Sequence, residues 1–158
     1  ILDAGALGIM VPNVQSAEHA GRAISAMKYA PKGARGLGLG TAHNDYVAPP
    51  AKEYLEEANR NTLLICQIES EAGLANLESI AALESVDVLW VGHSDLSHSL
   101  GITGEFEHPR MIDALRQVAE AASRHGKIAG IQPGNEKQLR DWVELGYRMI
   151  SYGSDITV

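Results

Sequence analysis

Short apolar runs alternate with helix-forming segments along all 158 residues, and that alternation limits the possible folds more than any other feature of the chain. Leu7–Pro12, Thr62–Ile68, Val86–Gly92, Ile128–Ile131 and Tyr147–Tyr152 are apolar runs bounded by turn formers, as expected of buried strands. Between them lie segments with helical spacing of apolar residues: Ser16 to near Tyr29, Ala51–Asn61, Ser70–Leu83, His108-Pro109 to near His125-Gly126, and Asn135 through Leu145. Ser16 and Asn135 are N-cap residue types, and Pro109 is tolerated in a first helical turn. Strands that alternate with helices run parallel, joined by crossovers. Five such units in 158 residues average about 30 residues each, the usual size of a βαβ unit. A complete eightfold barrel needs ~250 residues, so the shortfall corresponds to about three units. An open doubly wound sheet is the alternative, although the glycines between Pro31 and Pro50 do not form a dinucleotide fingerprint.

Bulk properties narrow the function. The formal charge of −7 and pI near 5.3 argue against nucleic-acid and anionic-membrane partners, which reward a basic face. No run is long and apolar enough to span a bilayer. The lone cysteine, Cys66, sits inside a strand and reads as a buried thiol of a reducing, cytoplasmic compartment. The chain lacks an initiator Met, and Ile1-Leu2-Asp3-Ala4-Gly5 looks like the last turn of a helix closed by glycine, so it is expected to be one domain, residues 1–158, cut from a longer polypeptide.

Two of the strands end in acids. Thr62–Ile68 stops at Glu69, and Val86–Gly92 runs into His93-Ser94-Asp95. In a barrel the chemistry gathers at the C-terminal ends of the strands, and adjacent tips bring two carboxylates within reach of one hard cation. Strand-end acids also cap helices or form ion pairs, and spacing alone leaves both readings open. Gln67, the polar residue of its strand, faces either a ligand or a satisfied surface. Gly92 permits close backbone approach, and the N–H groups of Ser94 and Asp95, in a turn, suit a carboxylate beside the cation. The Pro31–Pro50 stretch is long for a connection and is expected to cover the site. His43, His93 and His98 have no spacing that forces a role as a base.

Val14-Gln15, Pro31-Lys32-Gly33-Ala34-Arg35-Gly36, Gln67-Ile68-Glu69, Val91-Gly92-His93-Ser94-Asp95-Leu96-Ser97 and Gly153-Ser154-Asp155 fall along the chain in the order of landmarks of one family. In these motifs the chain resembles the HpcH/HpaI aldolases (citrate lyase-like), metal-dependent 2-oxo acid aldolases of the phosphoenolpyruvate/pyruvate superfamily. The resemblance implies an α/β fold, a TIM (β/α)8 barrel of which this chain covers roughly the fourth to eighth strands. It lacks the N-terminal units and a C-terminal helix beyond Val158. The resemblance also assigns roles: Glu69 and Asp95 as ligands of Mg2+ or Mn2+, and Gln67, Gly92, Ser94 and Asp95 around pyruvate. Asp3 matches an acid that raises the basicity of the catalytic histidine. That histidine and an arginine that steadies the enolate belong to the missing units. His93 and Ser94 stand where the family more often has Pro and Ala; with the Gly38–Tyr46 loop they are expected to border the substrate mouth.

The implied reaction is reversible cleavage of a 4-hydroxy-2-oxo acid to pyruvate and an aldehyde through a metal-stabilised enolate, in a cytoplasmic homo-oligomer, hexameric as in the family. A citrate lyase-like acyl-CoA lyase or decarboxylase on the same barrel is the alternative, as is an inactive barrel that only binds 2-oxo acids. An acyl-CoA substrate calls for basic residues at the mouth, where only Lys32 and Arg35 are expected. The lysines avoid the C-terminal ends of strands, against Schiff-base chemistry.

Overall fold

Five parallel strands lie side by side in chain order in the computed structural model, which describes residues 1–156: β1 (Gly8–Val11), β2 (Leu63–Ile68), β3 (Val88–Val91), β4 (Ile128–Ile131) and β5 (Met149–Ile150). Residues 157 and 158 of the expected domain lie outside the described residues. A sheet whose neighbours are always consecutive has crossovers stepping in one direction, and right-handed crossovers then put every helix on the same face. The core confirms this. Leu64, Cys66, Ile68, Leu89, Val91, Ala129 and Ile131 pack with Ala20, Met27, Leu77, Ile80, Leu115, Val118 and Trp142 of the helices. The alternate residues Ile65, Val88 and Trp90 form a separate cluster with Met149 on the bare, inner face. The doubly wound alternative is excluded, because it needs helices on both faces. The sheet is a barrel segment with free edges at β1 and β5 among the described residues.

The helices are α1 (Ala17–Met27), α2 (Ala51–Asn61), α3 (Glu71–Ala75), α4 (Leu77–Ala81), α5 (His93–Ser99), α6 (Pro109–Arg124) and α7 (Glu136–Leu145). The expected caps are formed: Ser16 and Asn135 accept from the amides of His19 and Gln138, and His108, at the expected helix start, also serves as a cap by accepting from Arg110 N. Burial of Cys66 holds its thiol up at about 12.

Four expectations need correction. The Ser70–Leu83 helix is two short helices broken at Asn76, whose side-chain amide donates to Gln15 O and Ala72 O and whose backbone leaves helical geometry at φ −104°, ψ 10°. The His93–Asp95 turn is the opening of α5. The Tyr147–Tyr152 strand shrinks to Met149–Ile150, because an edge strand has one neighbour to extend its ladder. The 31–50 stretch, with a short turn at Ala42–Asn44, does not border the mouth. It follows α1 and leads to α2, so it lies at the N-terminal ends of β1 and β2, where His43 contacts Tyr54 and the backbone of Asp3.

Candidate active site

Strand parity aims a set of side chains at the inner face. Gln67 is in register with Trp90, and Trp90 with Gly130. Two residues further along their strands come Glu69, Gly92 and Gln132. Gln67, Trp90, Gly92, His93, Ser94, Asp95 and Gln132 line a pocket of about 160 Å3 at the C-terminal ends of β2, β3 and β4.

Glu69 is the fixed point. Its side chain is held on both oxygens: Oε1 accepts from the Asn13 backbone N–H at 2.7 Å and Oε2 from Gln67 Nε2 at 2.5 Å. Asn13 sits in the left-handed region (φ 47°), which Asn tolerates better than most residues, and the loop after β1 thereby turns its amide toward the acid. The residue is buried. Burial raises the Glu69 pKa, and the neighbouring Asp95 carboxylate adds to the rise, while the Asn13 and Gln67 donors oppose it. Two acids at adjacent strand ends thus sit close enough to repel.

Gly92 makes that proximity possible. An alanine methyl there would overlap Glu69 Oε2 and lie 2.6 Å from Gln67 Nε2 and 2.9 Å from Glu69 Cβ. Gly92 also starts α5. The helical ladder begins with Leu96 N–H donating to Gly92 O at 2.8 Å, so the amides of His93, Ser94 and Asp95 have no helical acceptor. Ser97, fully buried, donates to Ser94 O at 2.7 Å and accepts from Gly104 N at 3.0 Å, tying this first turn to the following loop.

The structure therefore brings Glu69, Asp95, Gln67, Gly92 and Ser94 together. Asp3 is not brought there. It lies before β1, at the opposite end of the strands, and pairs with Arg35, whose guanidinium holds the Asp3 carboxyl below its usual range. His93 packs edge-on against Phe106 at 4.8 Å and near Trp142 at 5.4 Å, and burial lowers its pKa. Three contributors went unnoticed in the sequence. Asn13 acts through its backbone, which no side-chain pattern reveals. Trp90 and Gln132 share parity with Gln67, but only the inter-strand register shows it.

The residues present fit a hard divalent cation. Asp95 is near enough for its charge to raise the Glu69 pKa, and a pair of neighbouring carboxylates suits a hard divalent cation, although among the described residues no group of three or more His, Cys, Asp or Glu is placed to hold a metal ion. Such a half-empty donor set leaves coordination positions for substrate and water.

Comparison with known proteins accords with this geometry. Residues 1–158 match the family described as HpcH/HpaI aldolase/citrate lyase. The chain is 37% identical over its full length to a 5-keto-4-deoxy-D-glucarate aldolase of Klebsiella pneumoniae, of which it covers 61%. It is similar to the crystal structure of an HpcH/HpaI aldolase from Desulfitobacterium hafniense, with a TM-score of 0.91 and 35% identity, across 98% of this chain and 60% of that one. A family protein from Burkholderia cenocepacia gives a TM-score of 0.89 and 33% identity, covering 98% and 61%. The chain thus spans about three-fifths of the length of the relatives it matches.

Proposed function

The chain belongs to the HpcH/HpaI aldolase/citrate lyase family, and from that premise we propose that the full-length protein is a divalent-metal-dependent aldolase. It reversibly cleaves a 4-hydroxy-2-oxo acid to pyruvate and an aldehyde. The observation that carries this reading is the meeting of Glu69 and Asp95 over Gly92 at adjacent strand ends. These two carboxylates would hold Mg2+ or Mn2+. The cation supplies a Lewis acid beside the 2-oxo group, where negative charge develops as the carbon–carbon bond breaks.

The protein's own residues bind and orient. The free amides of Ser94 and Asp95, at the positive end of α5, receive the substrate carboxylate. Gln67 is anchored to Glu69 and presents the remainder of its amide to the pyruvate portion. Gly92 keeps the wall low enough for substrate to approach, and Trp90 closes the floor. Asp3 stays outside this pocket because its carboxylate is at the other end of the strands. The name of the Klebsiella relative makes 5-keto-4-deoxy-D-glucarate the first substrate to assay. An acyl-CoA substrate fits less well. Lys32 and Arg35, expected near the mouth, instead pair with Glu84 and Asp3 away from it.

The test is retro-aldol activity of the full-length protein with added Mg2+ or Mn2+. Glu69→Gln and Asp95→Asn should each abolish it, as should a chelator. Full activity in both variants would remove the proposal.

A further inference from the structure

The end of the sheet opposite the carboxylate pair carries a second cavity of about 240 Å3, between the turn at Leu2–Ala4, the 31–50 stretch and α2. Arg35, His43, Tyr54, Glu57 and Asn61 supply its polar walls. Arg35 is an unusual wall for a surface hollow. Its side chain is only 8% exposed, its guanidinium lies over the Tyr29 ring at 4.6 Å from the centroid, and Nη2 pairs with the exposed Asp3.

One polar atom of the lining, His43 Nε2, is buried without a hydrogen-bond partner among the described residues. Folded proteins pair nearly all such atoms, with protein or with something bound. The His43 ring is placed from its other side. Nδ1 is 2.8 Å from Thr41 Oγ1 and 3.4 Å from Asp3 O. Asp3 O can only accept, whereas the Thr41 hydroxyl can donate; the site proposed below takes the shorter Thr41 contact as the hydrogen bond, donated by the hydroxyl, which puts the ring proton on Nε2. A guanidinium offers only donors. The Arg35 side of the cavity is therefore rich in donors, and Glu57 on α2 supplies a carboxylate acceptor to the same lining. The volume equals roughly eight waters at ~30 Å3 each, enough for a molecule of three or four carbons.

We propose that this cavity binds a small hydroxy-carboxylate, its carboxylate accepting from Arg35 and His43 Nε2 and its hydroxyl donating to Glu57. The site is separate from the carboxylate pair: it precedes the first residues of β1 and β2, whereas Glu69 and Asp95 follow the last residues of β2 and β3. It does not depend on the proposed reaction.

The experiment is calorimetric titration of the full-length protein with glycerate, with glycerol as the comparison lacking a carboxylate. Glycerate should bind saturably and glycerol should not. Binding should survive Glu69→Gln, which separates this site from the carboxylate pair. His43→Leu should weaken glycerate at least tenfold, and His43→Gln, which returns an N–H donor near the Nε2 position, should restore most of it. No glycerate binding at millimolar concentration overturns the site, as does binding unchanged by His43→Leu. Crystals of the full-length protein in glycerate should show it against Arg35; a cavity filled only by ordered water or by a side chain from elsewhere in the polypeptide also overturns it.

Discussion

Replacing Gly92 by alanine tests the site with a single methyl group. The backbone there, at φ −83° and ψ 80°, is outside the left-handed region, so alanine carries no conformational penalty of the glycine-only kind. Its methyl would overlap Glu69 Oε2 and crowd Gln67 Nε2 at 2.6 Å and Glu69 Cβ at 2.9 Å. Relief to ordinary contact near 3.4 Å moves the Glu69 carboxylate by about 1 Å, since the two polar groups are the far ends of flexible side chains, and strains their bonds to each other and to Asn13 N. The fold should survive, with an overpacking cost of about 1–3 kcal/mol. Function should not. A misplacement of about 1 Å costs on the order of 100-fold in rate, and disturbing a ligand's support costs about 10–100-fold in metal affinity. In the full-length protein, Mn2+ titration followed by calorimetry should show affinity down at least tenfold, and retro-aldol kcat/KM should fall about 100-fold, while the unfolding transition stays cooperative. Parent-like Mn2+ affinity and activity in Gly92→Ala would refute the close packing of Glu69, Gln67 and Gly92 as the basis of the site.

Three further outcomes follow from the same geometry. Because burial and Asp95 raise the folded-state pKa of Glu69, stability falls as pH rises from the unfolded carboxyl value through the folded one, and the full penalty applies above it. Metal-free Glu69→Gln should therefore melt higher than the parent at pH 7, and the difference should disappear as pH falls below the unfolded carboxyl value; a thermal-melt series across pH checks this. Gly130→Ala places a methyl 2.5 Å from Trp90 Cε3, a rigid ring on the inner face, and should destabilise by about 1–3 kcal/mol in denaturant titration. Tyr147→Phe removes a buried hydroxyl that donates to Leu115 O at 3.0 Å and should cost about 1 kcal/mol by the same assay, with Mn2+ affinity unchanged.

Much of this architecture is written locally in the chain. The strands stand out because Leu64, Cys66, Ile68, Leu89 and Val91 pack under the helices while Ile65, Val88 and Trp90 cluster on the inner face, so both faces take apolar side chains. Ser16, His108 and Asn135 mark helix starts because each cap is a short-range hydrogen bond. What the sequence conceals is long-range. The break at Asn76 depends on an acceptor at Gln15, far away in the chain. Helix α5 hides in His93–Ser99 because, with Leu96 its one large buried apolar residue, it has no stripe to recognise. The 31–50 stretch has glycines that suit a lid, but its place is set by where α1 ends, and that puts it at the wrong end of the sheet for the mouth. Within the site, Glu69 and Asp95 are legible as strand-end acids. Asn13 is not, because its contribution is a backbone amide delivered by a left-handed turn.

The central claim is that one dication is shared between Glu69 and Asp95. Anomalous diffraction from crystals of the full-length protein soaked in Mn2+ and pyruvate addresses it directly. One strong peak should lie about 2.0–2.3 Å from a carboxylate oxygen of each residue, with pyruvate beside the Ser94 and Asp95 amides. A Mn2+ peak held by other side chains, with Glu69 still bonded only to Asn13 and Gln67, would contradict it.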